Sequence, residues 1–249
     1  MTESLVLINP VWPAPPHVKA ISTTRVGGVS DTPYNALNLA AHVGDNPRNV
    51  AMNRALLCTR LGLVREPLWL NQVHGTGVAD AARAEPGVDA DASISRKAGS
   101  ACAVLTADCL PILLCDCGGN EVAALHVGWR GLAAGIIEKT VAMLRTPSVN
   151  LLAWLGPAIG PSAFEVGSEV RDCFVAADRQ ATVAFVPGKN GHWQADIYAL
   201  ARLSLLRLGI TAIYGGGRCT VAESEVFFSY RRDGVCGRMA SVIWIADNH

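Results

Sequence analysis

Histidine is scarce in this chain, six copies in 249 residues, yet two of the six end apolar segments beside glycine. His74 stands in Asn71-Gln72-Val73-His74-Gly75, and His126 closes the run Val122-Ala123-Ala124-Leu125, two residues before Gly128. A strand end followed by glycine brings a side chain to the rim of a sheet, where sites are commonly built. Cys109 is the third candidate. It follows Thr106-Ala107-Asp108, and Pro111 interrupts the apolar run that continues from Ile112 to Cys115. A proline there predicts a sheet edge or a bulge, with a kink that turns Cys109 out of the sheet. Two imidazoles and one thiolate with a vacant fourth position are the arrangement of a catalytic zinc, whereas structural zinc is closed by four ligands. Such an ion activates water and polarises an oxygen. The same residues suit a second chemistry, with Cys109 as a nucleophile paired to a histidine and no metal taking part.

The elements that must position these residues alternate in type. Prolines 10, 13, 15 and 16 forbid an early helix, and Val18–Ser22 reads as a strand. Asn46-Pro47 opens a predicted helix to about Leu61. Leu68-Trp69-Leu70 is a short strand that delivers His74. Ala101–Asp108, Ile112–Cys115, Val122–Val127, Asn150–Leu155, Phe227–Tyr230 and Met239–Ile245 read as strands. Gly128–Gly131 reads as a turn, and Leu132–Arg145, Ser168–Ala176 and Ala195–Leu208 as helices, the first placing its positive dipole end close to His126. Strands and helices mixed along the whole length indicate α/β or α+β, and pattern alone does not choose between them.

Composition narrows the function classes. Half of the residues are hydrophobic and 24 are glycine, enough for a large core with tight turns. Lys and Arg (21) balance Asp and Glu (21), so no basic excess exists to neutralise phosphates and nucleic acid is not an expected partner. No apolar run reaches the ~18 residues of a membrane span, and the first residues lack the basic start and apolar core of a secretory signal. A cytoplasmic location follows as the expectation, and with it eight free thiols rather than disulfides. Cys115 and Cys117 read as core and turn, because no second pair follows at zinc-finger spacing.

Several longer words carry a resemblance. Asn71-Gln-Val-His-Gly75, Thr106-Ala-Asp-Cys-Leu-Pro111, His126-Val-Gly-Trp-Arg-Gly131, Gly156-Pro-Ala-Ile-Gly160 and Phe227-Phe-Ser-Tyr-Arg-Arg-Asp233 resemble the YfiH/YlmD family. Its members are variously called laccase-domain proteins, polyphenol oxidases, purine nucleoside phosphorylases and peptidoglycan editing factor. The likeness runs from Thr23-Thr-Arg-Val-Gly-Gly-Val-Ser30 to the last strand, which implies a single domain over residues 1–249. The resemblance implies metal ligation by His74, Cys109 and His126. It also implies a layered sandwich of mixed β-sheets flanked by helices, similar to the catalytic domain of cytotoxic necrotizing factor toxins, whose Cys–His pair keeps a nucleophilic Cys109 in play. Cys236 departs from the family's Asp-x-x-Thr-Gly-Arg-Met word, where relatives often carry threonine.

The family implies that the N-terminal loops help line the pocket, so Arg25, Asn38, His42, Asn46 and Arg48 are expected near it, with Arg25 or Arg48 holding phosphate. Gln72 and Arg130 are further substrate-binding candidates, Trp129 a stacking surface, and Asp108 an orienting group or base beside Cys109 and His126. Arg231-Arg232 suits a phosphate or a surface pair with Asp233. The activity these names imply first is a zinc-dependent purine nucleoside phosphorylase that also deaminates adenosine and cleaves methylthioadenosine. The alternative is an amidase that removes a misplaced L-Ser from a UDP-MurNAc cell-wall precursor. A copper polyphenol oxidase is disfavoured, because six histidines without an H-x-H pair cannot build a multicopper centre, although copper binding at such a site is possible chemistry. A non-enzymatic metal-binding module would close the fourth coordination position.

Overall fold

The computed structural model describes residues 4–247. In chain order it runs β1 (Leu7–Ile8), β2 (Val18–Thr23), α1 (Pro47–Leu61), β3 (Val78–Asp80), β4 (Ala92–Ser95) and β5 (Cys102–Thr106). Next come β6 (Leu110–Asp116), β7 (Val122–Val127), α2 (Trp129–Ala133), α3 (Ile136–Met143) and β8 (Leu151–Leu155). The remainder is β9 (Glu165–Val166), α4 (Ser168–Ala177), β10 (Phe185–Pro187), β11 (Trp193–Ala195), α5 (Ile197–Arg207), β12 (Ala212–Gly215), α6 (Tyr230–Asp233) and β13 (Met239–Ile245). Three sheets result: an antiparallel four-stranded sheet ordered β1-β2-β13-β5, a mixed six-stranded sheet ordered β12-β8-β6-β7-β4-β3, and a small β10-β11-β9 sheet.

Side-chain alternation along the strands explains the layering. In β6, Leu110, Ile112 and Leu114 pack with Ile136, Leu200 and Leu205 of the helices. Their neighbours Leu113 and Cys115 face the four-stranded sheet, against Val104 and Ile243. The outer face of that sheet, Ile21, Ala103, Val242 and Trp244, lies against Leu57 of α1 and the loop residues Leu37 and Leu39. The order is therefore helix and loop, sheet, sheet, helices: the layered α/β sandwich expected. A strand buried on both faces reads as a continuous apolar run, which is why β6 shows no clean alternation of polarity. All eight cysteines are free, with Cys115 buried in β6 and Cys117 exposed in the turn after it. Among the described residues no helix is long and apolar enough to cross a membrane.

Several predicted elements recur closely, including α1 with Asn46 capping its first turn and Gly62 ending it at φ 67°. Others need correction. β6 is not an edge strand, since β7 and β8 pair with it on both sides. Pro111 is tolerated as its second residue, where its carbonyl still accepts the Gly156 N–H at 2.9 Å. Phe227–Tyr230 is no strand. Phe227 donates to the Glu223 carbonyl and Phe228 to the Met239 sulfur, so their alternation reflects two fully buried rings and not a ladder. The helix read over Leu132–Arg145 breaks at Ala134-Gly135, where Gly135 adopts φ 86°, and the supposed turn Trp129-Arg130-Gly131 is the first turn of α2.

Two connections matter for function. Ala107-Asp108-Cys109 crosses from β5 in one sheet to β6 in the other, so Cys109 emerges where the sheets part. The loop between β2 and α1 is pinned by fully buried Asn53, whose amide donates to Ser30 Oγ and to the Ala36 and Asn38 carbonyls while its oxygen accepts the Val29 N–H. Replacing Asn53 by alanine strands several buried polar groups. Urea denaturation of Asn53→Ala should show a loss of about 2–4 kcal/mol, and a loss below about 0.5 kcal/mol would remove Asn53 as the loop's anchor.

Candidate active site

His74, Cys109 and His126 converge, with one ligand atom from each lying within 4.8 Å of the others. His74 Nε2 is 3.8 Å from Cys109 Sγ, and the two imidazoles meet edge to face with centroids 4.8 Å apart. His126 is the penultimate residue of β7. His74 sits in a loop tethered by single bridges, Leu68 to Cys102 and Asn71 to Asp89, and takes φ 58°. Two glycines of α2 and its cap make room: a Cβ on Gly128 would stand 2.9 Å from His74 Cδ2 and 3.2 Å from Cys109 Sγ, and one on Gly131 would stand 2.9 Å from the Gly75 carbonyl.

Asp91 unites these pieces. Buried beside β4, its carboxylate accepts His126 Nδ1–H at 2.8 Å and the backbone N–H groups of His74 (2.9 Å), Gly75 (2.6 Å) and Val73 (3.3 Å). Its own carbonyl accepts the His126 N–H at 2.7 Å. One carboxylate thus fixes the ring of one histidine and the backbone of the other. With Nδ1 committed to Asp91, Nε2 is the His126 nitrogen left to face a ligand, which takes the place of its proton.

Burial raises the Cys109 thiol, but His126 and then His74 outweigh it and bring its pKa down to about 6. Burial alone would lower His126; the Cys109 thiolate and Asp91 raise it instead, to about 9. Asp91 is held below the usual carboxylate range, because the His126 and backbone hydrogen bonds exceed the penalty of burial. The metal-free pair is therefore a thiolate and an imidazolium at neutral pH. The donor set suits zinc: Zn–S near ~2.3 Å and Zn–N near ~2.0 Å in a tetrahedron put S and N about 3.6 Å apart, close to the separation seen between Cys109 and His74.

The group lines a cavity of about 560 Å³. Of the residues expected around it, His42, Gln72, Asp108 and Arg130 are in its wall, with Trp129. Gln72 clamps the Leu105 backbone through both amide atoms (2.8 and 2.7 Å). Asp108, at φ 90°, spends its carboxylate on the Thr220 hydroxyl and the Arg231 N–H, each at 2.6 Å, and so positions the crossover. Burial together with Arg238 and Arg54 holds the His42 pKa below its ordinary value.

Arg25, Asn38 and Arg48 are not in the wall. Arg25 is consumed by the Asn35 and Ser224 carbonyls and stacks on Phe228, and Arg48 is exposed on the first turn of α1. Asn38 is fully buried and acts at one remove, accepting the Arg238 N–H at 3.0 Å. Asp91, Arg238, Tyr230 and Phe164 escaped the sequence reading. The signal for Asp91 was the Asp89-Ala90-Asp91 doublet between a glycine turn and a strand, a pattern that loops show without any site.

The chain is similar to known proteins over almost its whole length. A family model described as multi-copper polyphenol oxidoreductase laccase matches residues 19–246. The purine nucleoside phosphorylase YfiH of Escherichia coli is 54% identical over 241 residues, covering 96% of this chain and 98% of that protein. A purine nucleoside phosphorylase of Pseudomonas aeruginosa has the same identity and coverage. Among solved structures, a Neisseria meningitidis protein superposes with TM-score 0.93 at 50% identity, covering 98% of this chain and all of the other. YlmD from Geobacillus stearothermophilus gives 0.85 at 30% identity, with 93% of both chains covered.

Two measurements check the geometry. Asp91→Asn should lower zinc affinity by about 10–100-fold in chelator competition, since the amide no longer enforces the His126 tautomer; unchanged affinity would remove Asp91 from the centre. In metal-free protein, mass-mapped alkylation of Cys109 should stay fast at neutral pH and fall only as pH drops through about 6, because protonation removes the thiolate. An inflection near that of an ordinary thiol, about 8.5, would contradict the imidazole effect.

Proposed function

Because the chain belongs to the YfiH-like, multi-copper polyphenol oxidoreductase laccase family, we propose that it is a zinc-dependent purine nucleoside phosphorylase, with accompanying adenosine deaminase and methylthioadenosine phosphorylase activity. One observation carries the reading beyond the relatives' names: the His74–Cys109–His126 group opens onto a cavity large enough for a nucleoside, with aromatic walls. A closed storage site would need a fourth ligand, and among the described residues the group has three.

Zinc held by these three residues supplies Lewis-acid polarisation of an oxygen. The remaining work falls to the chain. Phosphorolysis breaks the glycosidic C–N bond, forms a bond from C1′ to a phosphate oxygen and releases the base with a proton. Trp129 and Phe164 give a flat, apolar surface for the base. His42, whose pKa is depressed, offers a neutral imidazole in the same wall. Gln72 holds the edge of β5 and so the position from which the chain crosses to Cys109.

A second reading, hydrolysis of L-Ser from a UDP-MurNAc precursor, has one observation in its favour. A neighbouring cavity of about 730 Å³ shares His42 and Leu105 with the first, which gives space for a substrate longer than a nucleoside. The family's copper label finds less support in the ligands, since the described residues hold one such group with two imidazoles.

Adenosine with phosphate should yield adenine and ribose 1-phosphate, and Cys109→Ala should lower kcat/KM by more than about a hundredfold. Undiminished turnover by that variant contradicts the assignment. No nucleoside turnover, with L-Ser released from the precursor, puts the second reading in its place.

A further inference from the structure

We propose that Arg130, Arg231 and Arg238 form an oxyanion subsite in the cavity beside His74, Cys109 and His126, built to hold a phosphate group. The identity of that phosphate as a co-substrate rests on the function proposed above; the subsite itself rests on the placement of three guanidinium groups.

All three line the same cavity, although they come from α2, α6 and the residue before β13. The chain as a whole carries no net charge, so this is a local concentration of cations. Arg96, Arg207, Arg218 and Arg232 are ion-paired with carboxylates, whereas none of these three is, among the described residues. The one carboxylate in the wall among the described residues, Asp108, already has both oxygens engaged by Thr220 and by the Arg231 backbone. A cavity with three unpaired cations and no available carboxylate selects an anion.

Each guanidinium is also braced. Arg130 stacks on Trp129 at 4.5 Å, Arg238 lies over Tyr230 at 5.7 Å and Arg231 over Phe164 at 5.8 Å. Arg231 spends one terminal nitrogen on the Ala163 and Glu165 carbonyls, and Arg238 spends one on the Cys236 and Gly237 carbonyls. Their other guanidinium nitrogens have no protein acceptor among the described residues. A fork with one tine anchored and the rest free is pre-organised for two-point contact with phosphate oxygens. This replaces Arg25 and Arg48 as phosphate holders.

The same chemistry fits free phosphate or the phosphate of a nucleotide-bearing substrate, and the test separates them. Equilibrium dialysis of zinc-loaded protein is run with inorganic phosphate and, in a parallel arm, with uridine diphosphate. Arg130→Gln, Arg231→Gln and Arg238→Gln should each weaken the bound probe by about tenfold, while Arg48→Gln, outside the cavity, should not. Arg130 is exposed and holds no backbone group, so its variant tests the subsite even where another perturbs folding. Arginine-dependent binding of phosphate alone supports a free co-substrate; arginine-dependent binding of the diphosphate alone supports an esterified one. No saturable binding of either probe, or binding that survives all three substitutions, overturns the subsite. If adenosine is not cleaved yet binding depends on these arginines, the functional reading fails and the subsite stands. Phosphorolysis with an unchanged KM for phosphate in the variants gives the converse.

Discussion

The Asp91 carboxylate is the constraint on which the site depends. Alone in a buried position it would favour protonation; with four N–H donors converging on it, the charged form persists. Those donors belong to two segments that contribute one histidine each. A single buried charge therefore sets the His126 tautomer, the backbone of the His74 loop and the separation between the two rings. Asp91 itself is not in the cavity wall, which leaves the open side of the group for chemistry.

The third ligand is placed by topology. The chain passes between the two stacked sheets several times, and the passage from β5 to β6 comprises three residues, Ala107, Asp108 and Cys109. Asp108 accepts an unusual backbone conformation because Thr220, Arg231 and the Ile159 N–H all bind it. The thiol that emerges at the mouth of the sandwich is then acidified by the two imidazoles. Rigid layers supply the position, and loops from β2–α1 and α6 supply the wall.

Local signals made most helices and the central strands legible. The Asn46-Pro47 start and Gly62 stop of α1 are properties of neighbouring residues, and β7 and β13 are long apolar runs. The three candidate ligands were legible because histidine is rare and each stands beside an element end. What stayed hidden depended on distant contacts. Phe227 and Phe228 read as a strand because both are apolar, yet among the described residues no partner strand lies beside their buried rings. Arg25 and Arg238 are indistinguishable by type; only the fold shows that the first is consumed by carbonyls and the second lines the cavity. Asp91 is one of 21 acidic residues, and nothing in its neighbours announces that it will meet His126, 35 residues on.

On this geometry, two imidazoles and one thiolate would share a single ion and leave a position for a reactant. Zinc K-edge X-ray absorption on protein reconstituted with one equivalent of zinc tests it most directly. One sulfur near ~2.3 Å, two histidine nitrogens near ~2.0 Å and one further light atom are expected, with the sulfur lost in Cys109→Ser. A sulfur count of zero or of two or more, or a shell of four protein ligands with no exchangeable position, would contradict it.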